Sequence, residues 1–294
     1  MQFQGTFTAL VTPFAPDGSV DYPRLRELVE RQIAAGITGL VPVGTTGESP
    51  TLTPAEHLDV IRFVIETAAK RVPVIAGTGA NSTAEALDFT KQAIDLGADA
   101  TLQVTPYYNK PNATGLLRHF TAVADLGIPV VLYNIPGRTS REIPLPVVAE
   151  LARHPNIACI KEAGGNVNRV SQIRSLCDIA ILSGDDALTL PMMALGASGV
   201  VSVATHLAPG PVCQMVAAAL AGDWEKARAL HYRLYPLFTD LFLDTNPIPV
   251  KAALEMAGFG PAVYRLPLAP MDPAPREKLR ATLASLGLLP PERK

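Results

Sequence analysis

Eight short apolar runs, rich in β-branched residues, alternate with longer amphipathic segments as far as Val203. Most of the runs are apolar throughout, which is typical of parallel strands that are buried on both faces. Such repetition suits an open doubly wound sheet or a closed barrel, and eight units in roughly 200 residues favour the barrel. We therefore predict an α/β fold, a (β/α)₈ TIM barrel, with strands at 7–11, 39–43, 72–76, 100–104, 129–133, 157–160, 179–182 and 199–203.

Helical patterns separate the early strands and fill the end of the chain. Four segments carry apolar residues at helical spacing, follow capping residues and often end at glycine, at 22–35, 54–70, 83–96 and 115–126. Beyond Val203 only helical patterns occur, at 211–221, 224–243, 249–257 and 275–286. We therefore place a barrel domain at 1–222 and a small C-terminal helical extension at 223–294.

The composition excludes several classes of partner. The formal net charge is −2, from 25 basic and 27 acidic residues without a basic cluster, which argues against nucleic acid. The cysteines Cys159, Cys177 and Cys213 are widely spaced, and the five histidines show no ligand spacing, so we expect reduced thiols and no metal site. Neither a secretory pattern nor a membrane-spanning apolar run is found, which indicates a cytoplasmic protein without a membrane partner.

Polar residues follow six of the predicted strands, and Lys161 is the most unusual of them. It comes directly after the apolar run at 157–160, so we expect it to enter the barrel where the strands end, the place of chemistry in this fold. Burial penalises an ammonium and populates the neutral amine, which attacks a ketone carbonyl to form a Schiff base. The alternative is a lysine that reaches solvent or pairs with Glu162.

Hydroxyl, phenol and guanidinium groups follow the neighbouring strands. Tyr133, Tyr108 and Thr45 are candidates for the proton transfers that Schiff-base chemistry needs, although strand-end tyrosines are commonly structural. The Thr45 and Thr46 amides, between two glycines, suit a small carboxylate, and the alternative is an ordinary glycine-rich turn. Arg138 suits a second carboxylate, unless it is simply a solvated surface group.

Two further patterns do not indicate a cofactor. The segment Gly77-Thr78-Gly79 is an incomplete dinucleotide fingerprint. The pair Asp185-Asp186 more often caps the following helix than binds Mg²⁺. We therefore expect a lyase without a cofactor or a metal.

Five segments in chain order resemble the pyruvate-dependent class I lyase family typified by N-acetylneuraminate lyase, over about residues 7–286. They are 44–49 (GTTGES), 106–109 (PYYN), 133–139 (YNIPGRT), 160–163 (IKEA) and 246–251 (NPIPVK). The resemblance implies condensation of pyruvate with L-aspartate 4-semialdehyde into 4-hydroxy-tetrahydrodipicolinate, on the route to diaminopimelate and lysine. The nearest alternative is a sister lyase or dehydratase acting on a sugar acid. A barrel that only senses a 2-oxo acid or an amino acid is the alternative from another class.

The resemblance also implies a role for each matching residue. Lys161 forms the Schiff base, Tyr133 is the acid and base, and Thr45 relays protons with Tyr108, which reaches in from a neighbouring subunit. The Thr45 and Thr46 amides hold the pyruvate carboxylate. Arg138 holds the semialdehyde carboxylate, and the pocket wall near the lysine includes Gly184 and the Val201 carbonyl.

Two further expectations rest on the resemblance alone. The first is a homotetramer built as a dimer of dimers. The second is weak inhibition by L-lysine in a cleft at the dimer interface, lined by Ser49, Pro50, His57, Asn81, Glu85 and Tyr107. Pro54 departs from the family pattern at this cleft, because sensitive members often have an aromatic or imidazole ring at that position.

Overall fold

The computed structural model describes residues 2–291, and its centre is a barrel of eight parallel strands. The strands pair in the order β2-β1-β8-β7-β6-β5-β4-β3, and a parallel bridge from Leu40 to Val74 joins the two ends of this row. The predicted α/β TIM barrel is therefore confirmed. The strands are β1 Gly5–Ala9, β2 Gly39–Val41, β3 Ile75–Gly77, β4 Ala100–Val104, β5 Val130–Asn134, β6 Ile157–Glu162, β7 Ala180–Ser183 and β8 Gly199–Ser202.

Helices alternate with the strands and then continue alone. Those before β8 are α1 Tyr22–Ala34, α2 Pro54–Ala68, α3 Thr83–Asp95, α4 Ala113–Ala124, α5 Pro136–Thr139, α6 Leu145–Leu151, α7 Asn168–Arg174 and α8 Thr189–Ala194. Those after it are α9 Pro209–Leu220, α10 Trp224–Asp240, α11 Ile248–Met256 and α12 Pro273–Ser285. The sequence did not predict α5 to α8, because segments of four to seven residues are too short to show a helical period.

Side-chain caps explain where several helices begin. The Asp21 carboxylate accepts a hydrogen bond from the Arg24 amide at the start of α1. Thr53 and Glu56 form a reciprocal capping box at the start of α2. The eight predicted helices are confirmed, with their ends displaced by three residues at most.

Seven of the eight strands end one or two residues away from the predicted position, and the differences in β2 and β6 shape the mouth of the barrel. β2 stops at Val41 because Pro42 has no amide hydrogen and Val43 has a φ of 54°, outside the range of a strand. β6 runs on to Glu162, so Lys161 lies inside the strand rather than in the loop after it.

The register of β5 and β6 sorts four functional positions onto two faces. Tyr133 lies opposite Lys161, and Asn134 lies opposite Glu162. Successive side chains of a strand point to opposite faces of the sheet. The first pair therefore shares one face, and the second pair shares the other, next to α7.

A buried hydrogen-bond network surrounds Glu162 on that outer face. The Asn134 amide nitrogen donates to both carboxylate oxygens at 2.9 and 3.0 Å, and Arg169 Nε donates to one of them at 2.9 Å. The Arg169 guanidinium also donates to the Ile143 carbonyl at 3.0 Å. The alternative in which Lys161 pairs with Glu162 is therefore wrong, because Arg169 and Asn134 are the partners of that carboxylate.

The C-terminal extension is bonded to the barrel through Arg265. Its guanidinium donates to the Gly18 carbonyl at 2.7 and 3.0 Å and to the Thr51 carbonyl at 2.9 Å, and it pairs with Glu56 at 2.6 Å. The domain boundary between 222 and 223 stays a prediction. Within residues 2–291, no helix combines the length and the apolar character that crossing a membrane requires.

We expect Arg169→Met to lower the free energy of unfolding by about 3–5 kcal/mol, because it leaves the buried Glu162 carboxylate without its cation. The matched control is Arg276→Met, which breaks an ion pair with Glu255 whose side chains are 37% and 35% exposed. That change should cost less than about 1 kcal/mol. Urea denaturation measures both variants, and equal losses would contradict the role given to the buried pair.

Candidate active site

A cavity of about 220 Å³ opens where strands β2 to β5 end. This is the end of a TIM barrel at which active sites are built. Its wall combines aliphatic side chains with hydroxyls, phenols and one guanidinium. Three predicted catalytic or binding residues line it, namely Thr45, Tyr133 and Arg138, as do three residues of the predicted lysine cleft, namely Ser49, Pro50 and Tyr107.

Lys161 lies beside this cavity, against the ring of Tyr133. Its Nζ atom is 4.1 Å from the centre of the phenol ring, and the lysine is only 5% exposed. Gly184 provides space for the lysine side chain, because a Cβ atom there would lie 3.0 Å from Lys161 Cε and 2.7 Å from Ala163 Cβ. The structure therefore brings Lys161, Tyr133 and Gly184 together.

The turn after β2 leaves two backbone amides without an acceptor. The amides of Gly47 and Ser49 donate to the Gly44 carbonyl at 3.1 and 3.4 Å. The Thr45 and Thr46 amides have no hydrogen-bond acceptor within residues 2–291. Adjacent free amides in a turn form a concave donor site for an anion. The carboxylate site at Thr45 and Thr46 stays a prediction.

Asn246, from the C-terminal extension, contacts both of the predicted carboxylate-binding groups. Its side-chain nitrogen donates to the Thr46 hydroxyl oxygen at 2.9 Å, and its backbone carbonyl accepts from Arg138 Nη2 at 2.8 Å. In the sequence, the segment 246–251 is only part of the family resemblance, and no role is predicted for Asn246. The signal in the sequence was an asparagine within a family motif far from the barrel strands. Its burial and its partners are visible only in the fold.

The structure does not bring every predicted residue to the cavity. Tyr108 is 91% exposed, with a φ of 70°, and among the described residues it is not part of the cavity wall. Val201 is buried in β8, where it lies opposite Phe7 of β1.

Of the remaining residues of the predicted lysine cleft, His57 and Glu85 lie near residues of the cavity wall. His57 Nε2 is 2.7 Å from the Gly77 carbonyl, and burial lowers the pKa of this imidazole. Glu85 is in the first turn of α3, and Asn81 lies just before that helix. Burial, and secondly the charge of Glu85, raise the pKa of the Tyr107 phenol, which places these two groups within electrostatic reach of each other.

The two adjacent aspartates bond within the fold. Asp185 accepts from the amides of Ala187 and Leu188 at 3.0 and 3.3 Å, just before α8. The Asp186 carboxylate accepts from the Val203 amide at 3.0 Å, a contact that the sequence did not predict. Burial raises the pKa of Asp186. Among residues 2–291, no group of three or more His, Cys, Asp or Glu is placed to hold a metal ion.

The glycine pair at the end of β3, Gly77 and Gly79, has a packing role. A Cβ atom on Gly77 would lie 2.2 Å from the Val43 carbonyl oxygen, and one on Gly79 would lie 2.3 Å from the Val104 amide nitrogen. Both glycines are therefore required where backbone segments approach closely beside the cavity.

Comparison with known proteins agrees with this geometry. The model of the family described as the dihydrodipicolinate synthetase family matches residues 2–286. A 4-hydroxy-tetrahydrodipicolinate synthase of Geobacter metallireducens is 51% identical over 290 residues, which cover 98% of this chain and 100% of that protein.

Solved structures are similar over the same length. The dihydrodipicolinate synthase of Acinetobacter baumannii, complexed with pyruvate, is 45% identical with a TM-score of 0.96, over 98% of this chain and 100% of that one. The enzyme of Cyanidioschyzon merolae, with lysine bound, is 42% identical with a TM-score of 0.95 and the same coverage. A variant described as monomeric is 39% identical with a TM-score of 0.95, over 98% of each chain. The chain belongs to the dihydrodipicolinate synthetase family.

Proposed function

We propose that this chain condenses pyruvate with L-aspartate 4-semialdehyde into 4-hydroxy-tetrahydrodipicolinate, through a Schiff base on Lys161. The observation that carries the proposal is a lysine amine, 5% exposed, that lies against Tyr133 at the mouth of the barrel. A reactive lysine at this end of a TIM barrel suits imine chemistry. The named activity of the relatives supports the same reaction, which opens the route to diaminopimelate and lysine.

The reaction proceeds in steps that need one amine and a proton shuttle. The Lys161 amine attacks the ketone carbon of pyruvate, and water leaves to give the imine. Loss of a methyl proton gives an enamine, whose carbon attacks the aldehyde of the second substrate. The amino group of that substrate then attacks the imine carbon, which closes the ring and releases Lys161. Tyr133, whose ring lies against the amine, is the proposed acid and base, with Thr45 as a relay hydroxyl.

Each substrate carboxylate has its own donors. The free amides of Thr45 and Thr46 bind the pyruvate carboxylate, as an anion in a turn. Arg138 lines the cavity and binds the semialdehyde carboxylate through its guanidinium. Gly184, which leaves space for the Lys161 side chain, and the Val201 carbonyl of β8 are the proposed wall near the lysine. No cofactor takes part in the proposed reaction.

The position of Tyr108 supports an active site that is shared between two subunits. Its phenol extends into solvent from a left-handed backbone conformation, outside the cavity of its own chain. A residue of this kind can serve the site of a neighbouring copy. We propose the homotetramer, a dimer of dimers, as the active assembly, with Tyr108 in the proton relay across the tight dimer interface.

The residues of the lysine cleft offer suitable groups for an amino acid. A carbonyl oxygen only accepts hydrogen bonds, so the contact with Gly77 places the proton of neutral His57 on Nε2 and leaves Nδ1 as an acceptor for an ammonium. Glu85 suits the α-ammonium, and the Tyr107 hydroxyl and Asn81 suit the α-carboxylate. We propose that L-lysine binds here, together with Ser49 and Pro50, and inhibits weakly.

Two further proposals concern the setting of the enzyme. The three free cysteines suit a reducing compartment, so we propose the cytoplasm. We also propose that the barrel domain ends at 222 and the extension begins at 223, because Gly222, with a φ of 80°, separates α9 from α10.

Steady-state kinetics should show turnover with L-aspartate 4-semialdehyde and little with sugar acids. Arg138→Ala should lower kcat/KM for the semialdehyde by about 10- to 100-fold, the cost of a charged carboxylate contact. Trapping of the pyruvate imine with borohydride should stay unchanged. Arg153→Ala, in an exposed pair with Glu150, is the matched control. Turnover of a sugar acid at a higher kcat/KM would contradict the proposed substrate.

Mixed subunits should test the shared site. Lys161→Ala and Tyr108→Phe subunits are each expected to be nearly inactive, and hybrids purified through two different tags should regain part of the activity. The reason is that one site of each mixed dimer receives both an intact lysine and an intact tyrosine. Hybrids of proven composition that stay inactive would show that each chain builds its site alone.

L-Lysine should inhibit the wild-type enzyme only partly, and Glu85→Ala should abolish that inhibition by removing the partner of the α-ammonium. Asp88→Ala, on the same helix, is the matched control and should stay sensitive. Calorimetry measures binding directly. Undiminished activity in saturating lysine, together with no heat of binding, would refute the proposed cleft.

A further inference from the structure

A second buried lysine, Lys251 of α11, pairs with a carboxylate in the turn that holds the free amides. Its Nζ atom bonds Glu48, and the two side chains are 4% and 0% exposed. The same nitrogen donates to the Val263 carbonyl at 2.8 Å and lies 4.2 Å from the centre of the Phe14 ring. Burial lowers the pKa of the Lys251 amine, and the charge of Glu48 opposes that shift. The proposed mechanism gives this pair no role.

Glu48 itself adopts a backbone conformation that residues other than glycine rarely adopt. Its φ is 55°, in the left-handed region. Its amide donates to the Thr45 carbonyl at 3.1 Å, and its carbonyl accepts from the Thr51 amide at 2.9 Å. A change of Glu48 toward an ordinary φ would reorient its amide, which bonds the Thr45 carbonyl, and would so disturb the turn that carries Thr45 and Thr46. A contact from outside the turn is therefore needed to keep the Glu48 side chain in place.

The C-terminal extension supplies such contacts to the turn. The Asn246 side-chain nitrogen donates to the Thr46 hydroxyl at 2.9 Å, and the Arg265 guanidinium donates to the Thr51 carbonyl at 2.9 Å. Thr46 and Thr51 lie on either side of Glu48 in the sequence. Lys251 lies between these two contacts in the sequence and meets the turn at its strained residue. All three side chains come from beyond residue 223, whereas the turn belongs to the barrel.

We propose that Lys251 is a positioning residue, whose ion pair with Glu48 holds the turn after β2 in the conformation that presents the Thr45 and Thr46 amides to the pyruvate carboxylate. This inference rests on the proposed function of those amides. Lys251 does not touch the substrate, and it acts on pyruvate binding through Glu48 alone. It should therefore change the affinity for the first substrate rather than the chemistry on Lys161.

The test is the pyruvate concentration that gives half-maximal borohydride trapping on Lys161. Lys251→Met should raise it about tenfold, the effect of misplacing one or two amide contacts to a carboxylate. The KM for the semialdehyde and the maximal extent of trapping should stay near the wild-type values. Lys251→Arg, which keeps the charge and the partner, should restore most of the affinity for pyruvate.

A double variant separates positioning from stability. Glu48→Gln with Lys251→Met leaves no unpaired buried charge, so it should unfold at a higher temperature than Lys251→Met alone and yet keep the raised pyruvate requirement. The matched control is Glu255→Gln with Arg276→Met, which removes another ion pair of the extension. If Lys251→Met does not fold, the pyruvate concentration for half-maximal trapping is measured in the double variant and in the single variant Glu48→Gln instead.

The outcomes are distinct. Wild-type pyruvate dependence in a folded double variant or in folded Lys251→Met would overturn the positioning role. A restored stability accompanied by a restored pyruvate affinity would show that the pair is only structural. Absence of any trapping in the wild-type protein would instead refute the proposed function itself.

Discussion

The active site depends on the register between β5 and β6. That register sets Tyr133 opposite Lys161 on one face and Asn134 opposite Glu162 on the other. The outer pair is bonded and buried with Arg169, so sliding one strand past its neighbour would break these bonds and leave a charge unpaired in the protein interior. The same bonds that stabilise the outer face therefore fix the distance between the amine and the phenol on the inner face.

The turn after β2, which is the proposed site of the pyruvate carboxylate, depends on the C-terminal extension. The turn and its two free amides belong to the barrel. The side chains that bond this turn are those of Asn246, Lys251 and Arg265 in the extension. The extension also provides the carbonyl that holds Arg138 at the cavity wall. A barrel without the residues beyond 223 would retain the lysine and lose these contacts to the turn and to Arg138. The two parts of the chain thus form one catalytic unit.

Much of this arrangement was predictable from the sequence, and the remainder has a physical reason. Apolar runs separated by amphipathic segments were enough to predict the barrel, and Lys161 stood out because a charged residue followed a buried strand. The partners of Glu162 and Lys251 were not predictable, since Arg169 and Glu48 meet them through tertiary packing that no local period encodes. Tyr108 shows a different limit, because its proposed role lies in a neighbouring copy of the chain.

The most direct test of the account is the site of covalent capture. Wild-type protein incubated with pyruvate and borohydride should gain one reduced adduct per chain, and peptide mapping by mass spectrometry should place it on Lys161. The buried Lys251 offers a demanding internal comparison, because it is also desolvated but is paired with Glu48. An adduct on Lys161 alone is the result that the account predicts. An adduct on Lys251 or another lysine, or no adduct at saturating pyruvate, would contradict it.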